Sequence, residues 1–181
     1  GVDTITSNVD AYTMGTAGPV SVKAEVNYVW GDRDAMNVKQ DLTGLAGYLG
    51  LGFNAGMANL GLEAAYARGD DPNSRENEGI ASHDYDSPFN SIVLYHNLDY
   101  DGFQSNKGAD RGVSNALALK ASVTAKPSEK LTLIAAGVWA KQDELSTTGG
   151  TNGIDDDLGV EVDGLLVYNI YDNVARSEER R

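Results

Sequence analysis

The chain has no cysteine, only four prolines, and no apolar run near the roughly 18 residues that a membrane-spanning helix needs. Without cysteine there is no disulfide framework, no thiol nucleophile and no cysteine-ligated metal. Cations are also scarce. Fourteen Lys and Arg against 27 Asp and Glu leave a formal charge of -13, which argues against a nucleic-acid partner, whose phosphates need a basic surface. Catalytic signatures are missing as well: there is no Gly-x-Ser-x-Gly elbow, no phosphate-binding glycine loop and no metalloprotease motif, so no enzyme is expected. Gly1-Val2-Asp3-Thr4 does not open a signal peptide, which would show a basic and then an apolar segment.

The chain is rich in glycine, with 21, and in tyrosine, whose nine outnumber three Phe and two Trp. That balance favours strands and turns over helices, and 181 residues suit one domain. The negative mean hydropathy excludes membrane helices but leaves membrane strands open, because a barrel strand needs only every second residue apolar.

Period-two alternation recurs along the chain. In Val20 to Asp32, Val20, Val22, Ala24, Val26, Tyr28 and Trp30 share one side of an extended backbone, and Ser21, Lys23, Glu25 and Asn27 share the other. Leu45, Leu49, Leu51 and Phe53 alternate with Ala46, Tyr48, Gly50, Gly52 and Asn54. Leu60, Leu62, Ala64 and Tyr66 alternate with Gly61, Glu63, Ala65 and Ala67. Leu117, Leu119, Ala121 and Val123 alternate with Ala118, Lys120, Ser122 and Thr124. Val160, Val162, Gly164, Leu166, Tyr168 and Ile170 alternate with Glu161, Asp163, Leu165, Val167 and Asn169. Leu131 to Lys141 is apolar on both sides, and Ile5 to Thr13 is the weakest match. About seven strands are therefore expected.

The connections add a second pattern. Short turns are expected at Ala17-Gly18-Pro19, Gly56 to Asn59, Lys126 to Lys130 and Tyr171 to Asn173. Long polar loops are expected at Gly31 to Gln40, Gly69 to Gly112 and Lys141 to Asp157. Short and long alternate strictly, so an antiparallel meander would collect every tight turn at one end and every long loop at the other. That is the layout of an outer-membrane barrel, whereas a soluble sandwich mixes both kinds at both ends. The expected fold is all-β: an antiparallel up-and-down transmembrane β-barrel, or part of one, over residues 1–173. The loop 69–112 lies within it, and 174–181 follow as a polar tail with no alternating apolar face.

The stretch Leu158 to Asn173, LGVEVDGLLVYNIYDN, resembles a late strand and turn of bacterial outer-membrane porins, including the alginate-export-type barrels of Gram-negative bacteria. Ala116 to Glu144, ALALKASVTAKPSEKLTLIAAGVWAKQDE, is similar to the hairpin that precedes it. The resemblance implies a passive channel in the outer membrane of a Gram-negative bacterium, with outer-membrane lipid and small hydrophilic solutes or ions as its partners. It implies no covalent chemistry. Porins end in a strand with a terminal aromatic, whereas this chain ends VARSEERR, and an odd strand count leaves an open edge in lipid. The ring is then completed by remaining barrel segments or by further copies, or closes as a small barrel of eight strands.

On the barrel reading, Lys23, Glu25, Glu63, Lys120, Glu161 and Asp163 line the pore and bias permeation by their charge. Paired across strands, the same groups would be an ordinary solvated wall. Tyr28, Trp30, Tyr66, Trp139 and Tyr168 are expected as interface girdles. Acidic runs in the loops, Asp70, Asp71, Asp84, Asp86, Asp99, Asp101, Asp155, Asp156 and Asp157, offer oxygen ligands for calcium without meeting the EF-hand spacing. His83 and His96 lack a supporting zinc motif. The apolar segment Phe89 to Tyr95 is expected to fold into the barrel mouth or to extend a hairpin, and an inward fold would constrict the pore. A competing reading is a soluble or surface-exposed β-domain that binds a ligand or calcium through these loops.

Overall fold

The structure, a computed structural model, describes residues 2–35, 38–79, 113, 115–145, 156–171 and 174–180, with Tyr171 and the last strand described by backbone alone. Eight strands follow one another: β1 (Val2–Ala17), β2 (Val20–Ala35), β3 (Val38–Asn54), β4 (Ala58–Ala67), β5 (Ala116–Ser128), β6 (Leu131–Gln142), β7 (Asp157–Tyr171) and β8 (Val174–Arg180). They form one antiparallel up-and-down sheet in sequence order, β1 to β8. The sheet is open: among the described residues no ladder joins β1 to β8.

Tight turns form at residues 18–19, 55–57 and 129–130, the last shorter than expected because β5 runs on to Ser128. Gly18 takes a φ of 58° before Pro19, and Gly56 a φ of 75°, a region that glycine enters without steric cost. Backbone bonds carry the ladder past these turns, from Asn54 N to Pro19 O and from Asn169 N to Lys130 O.

Three expectations need correction. Gly31 to Gln40 is not a long loop: β2 and β3 stay paired from Val20↔Phe53 to Ala35↔Val38, with only residues 36 and 37 between them. Asp34 faces Lys39 and Arg33 faces Gln40, so a polar extension persists on backbone bonds and cross-strand polar pairs without an apolar face. Strand β1 likewise runs from Val2 to Ala17, well beyond Ile5 to Thr13. The tail Val174–Arg180 pairs with β7, which raises the strand count to eight. Its register sets Arg180, Glu178 and Arg176 beside Gly164, Leu166 and Tyr168.

The two faces of the sheet differ in an unusual direction. Register carries most of the large apolar positions of β2 to β5 onto one side: Val26, Gly47, Tyr66 and Leu117 are successive partners, as are Ala24, Leu49, Ala64, Leu119, Trp139 and Val160. Of these, Val26, Leu49, Leu119 and Val160 are exposed, and Tyr66, Leu117 and Trp139 are half-buried. The buried residues lie on the opposite face and are small: Ala46, Ala65, Ala67, Ala116, Ala118 and Ala140 have no more than 1% of their surface exposed. Val113, just before β5, packs among them with Tyr48 and Val138. A water-soluble domain buries its large apolar groups, so this arrangement is the reverse of the ordinary one.

Candidate functional site

The small-residue face carries the charges. Because partners in adjacent strands lie about 4.8 Å apart, a chain of partners traces a row across the sheet. One such row is Met14, Lys23, Gly50, Glu63, Lys120, Val138 and Glu161. Four of the six charged residues singled out in the sequence therefore share a row. Glu25 lies in the next row on the same face, with Tyr12, Tyr48 and Ala65, and Asp163 in the row on the other side, with Ser21, Gly52 and Ser122.

Within the row, Lys120 Nζ lies 3.4 Å from Glu63 Oε1, with both side chains about nine-tenths buried. The Tyr48 hydroxyl donates to Glu63 Oε2 at 3.0 Å. Both carboxylate oxygens are thus engaged, which is what a shielded carboxylate requires. Tyr48 was missed as a site residue. Its signal was an aromatic standing on a face otherwise built of glycine and alanine, and only the register shows what its hydroxyl reaches. The ring folds back over Gly50, where an added Cβ would stand 2.6 Å from the hydroxyl oxygen. Nearer the open edge, Asn27 and Asn8 both donate side-chain amides to Asp10.

Glycines hollow out this face between Lys23 and Glu63. A groove of about 450 Å³ is lined by Met14, Thr16, Ser21, Lys23, Tyr48 and Glu63 and floored by Gly50, Gly52 and Gly61. The Ser21 hydroxyl lies over Gly52, and the Ser122 hydroxyl over Gly61 at 2.6 Å from where a Cβ would stand.

No family model matches the chain, and no curated protein matches it in sequence.

The aromatics lie on the other face. Tyr28 and Trp30 stack with ring centroids 5.8 Å apart, near the end of β2 that leads to residues 36 and 37. Tyr66 donates its hydroxyl to Asp143 Oδ2 at 3.1 Å, an oxygen that also accepts from Gly69 N at 2.9 Å. Trp139 sits in the row of Ala24, four positions from that of Tyr28, and Tyr168 lies at the short-turn end opposite Leu131.

At the long-connection end, Asn115 and Glu144 bond reciprocally, Glu144 N to Asn115 Oδ1 at 2.8 Å and Asn115 Nδ2 to Glu144 O at 2.9 Å. After β4 the chain turns back onto the free edge of β3, where Thr43 N donates to Asn77 O and Asn77 N to Asp41 O. The turn is organised around Glu78, whose carboxylate accepts from Ser74 Oγ at 3.0 Å and from Asp71 N at 3.3 Å.

The described calcium candidates are engaged in local bonds. Asp70 accepts from Glu78 N, Asp71 from Asn73 N, and Asp157 from Gly159 N, while Asp156 pairs with Lys141 at 3.3 Å. Among the described residues no three acidic or histidine side chains are grouped to hold a metal. Asp84, Asp86, Asp99, Asp101, Asp155, His83, His96 and Phe89 to Tyr95 lie outside the described residues.

Proposed function

We propose that the chain forms the wall, or a section of the wall, of an outer-membrane channel for passive diffusion of small hydrophilic solutes or ions. The observation that carries this reading is the apolar face, continuous from β2 to β7. Five inter-strand steps of about 4.8 Å and some 25 Å of strand give a patch on the order of 600 Å². That is the upper end of what monomeric soluble proteins expose, and here it is built of Leu, Val, Phe, Tyr and Trp rather than scattered residues. Along β2 it spans Val20 to Trp30, roughly 34 Å of strand, which at a tilt near 40° projects to about 26 Å. The apolar band of outer-membrane barrels is about 25 Å tall. The small, charged face opposite suits an aqueous lumen, and permeation along it needs no covalent step and no cofactor.

The open edges fit a wall that continues. Val22 and Val123, flanked by strands on both sides, are 36% exposed, whereas Val160 and Val162, on the part of β7 that β8 leaves uncovered, are 71% and 74% exposed. An adjoining strand, from remaining barrel segments or another copy, would remove that difference. The porin resemblance of Leu158 to Asn173 points to the same class of protein and to the outer membrane of a Gram-negative bacterium.

One observation favours the competing reading of a soluble or surface-exposed β-domain. The register of β8 aligns Arg176, Glu178 and Arg180 with the apolar positions of β7, and charges there are costly in lipid. Two measurements decide between the readings. The channel reading expects folding only in detergent or lipid, and stepwise conductance in planar bilayers. A monodisperse, folded protein in buffer without detergent would sink it.

A further inference from the structure

We propose that the groove beside Lys23 is a subsite for small organic acids, a proposal that rests on the channel reading for access to the groove but not for its chemistry. Near the middle of the small-residue face there are two cations, Lys23 and Lys120, and Lys120 is held by Glu63. Lys23 is exposed and forms no ion pair among the described residues. Glu63, the acid in the groove, has one oxygen on Lys120 and the other on the Tyr48 hydroxyl, so it offers little to an incoming cation. Glu25 does not line the groove. The available charge is therefore positive, although the whole chain is strongly acidic.

Shape then selects among anions. The volume of about 450 Å³ lies within the range of small-molecule sites. Polar groups are concentrated at Lys23, Ser21 and Thr16, while Met14, the Tyr48 ring and the glycine floor offer carbon. A carboxylate placed against the Lys23 ammonium and the Ser21 hydroxyl leaves its carbon skeleton over Gly50, Gly52 and Gly61. A bare inorganic anion would satisfy only the first half of that surface, and an alkylammonium only the second. A Cβ at position 50 would displace the Tyr48 hydroxyl, and one at position 52 Ser21 Oγ, so either would reshape the groove.

The test is a calorimetric titration of the full chain, refolded in detergent micelles, with butyrate, inorganic phosphate and butylammonium. Butyrate should bind more tightly than phosphate, and butylammonium should not bind. Lys23→Gln removes one charge-assisted hydrogen bond and should weaken butyrate about ten- to a hundred-fold, while Lys23→Arg keeps most of the affinity. Gly52→Val fills the floor and should weaken butyrate at unchanged charge. The proposal is overturned if Lys23→Gln binds butyrate like the parent, or if butylammonium competes equally. Planar-bilayer current separates the two proposals. Lys23-dependent butyrate binding without conductance defeats the channel and leaves the subsite standing. Conductance with butyrate binding indifferent to Lys23 does the opposite.

Discussion

Replacing Leu119 by arginine separates a lipid-facing sheet from a water-facing one. Leu119 sits mid-belt, between Ala64 and Trp139 in its row, and is 44% exposed. If lipid covers it, the substitution forfeits that fraction of the roughly 1.5–3 kcal/mol for full leucine burial, about 1 kcal/mol. It also places a cation near the bilayer midplane at about 2–4 kcal/mol. The total is about 3–5 kcal/mol. If water covers it, exchanging a half-exposed surface residue costs about 0.5 kcal/mol or less. Thr124→Arg is the control: Thr124 lies on the small-residue face of the same strand and should cost about 0.5 kcal/mol on either reading. Urea unfolding from lipid vesicles, followed by the fluorescence of Trp30 and Trp139, reads both variants. A Leu119→Arg protein as stable as its parent, or a Thr124→Arg protein destabilised equally, would refute the assignment of the faces.

Two further outcomes follow from local geometry. Glu63→Gln should cost about 1–3 kcal/mol, because it weakens a shielded ion pair with Lys120, and Lys120→Met added to it should recover part of the loss; a double-mutant cycle by urea titration with near-zero coupling would contradict the pair. Gly69→Ala should loosen the clamp at the end of β6, since an added Cβ would stand 2.8 Å from the Glu144 Cβ and closer still to Asn115; the amides of Gly69 and Glu144 should then exchange faster, and unchanged protection would show that the clamp does not depend on that contact.

The strands were legible in the sequence wherever one face was apolar. Val20 to Trp30, Leu60 to Tyr66 and Leu117 to Val123 alternate cleanly, and each is a strand in the sheet. Strand was missed where alternation faded, at Arg33 to Ala35, Val38 to Gln40 and Val174 to Arg180, because a ladder held by backbone bonds can carry charged side chains that leave no periodic trace. The six charged residues were assignable to one face by parity alone, since side chains alternate with period two. Their alignment was not legible. That Lys23, Glu63, Lys120 and Glu161 share a row depends on three turns and on how residues 68–115 and 143–156 rejoin the sheet, none of which parity constrains. Tyr48 was hidden for the same reason, because its partner lies one strand away.

The connection between Ala67 and Ala116 also bears on how the sheet assembles. Every other pairing joins neighbours in the chain through a connection of at most 14 residues, and strands β1 to β4 are linked by turns of two or three. The β4·β5 ladder must close 48 residues, which costs about 3 kcal/mol more in chain entropy than a two-residue turn. Two blocks, β1–β4 and β5–β8, can thus zip up independently before they meet. The β4·β5 amides should be the last to gain protection in pulse-labelling hydrogen exchange, and early protection there would rule out this order. Completing the sheet then becomes a docking event between two preformed hairpin stacks, whose speed depends on the length of one connection more than on the composition of any strand.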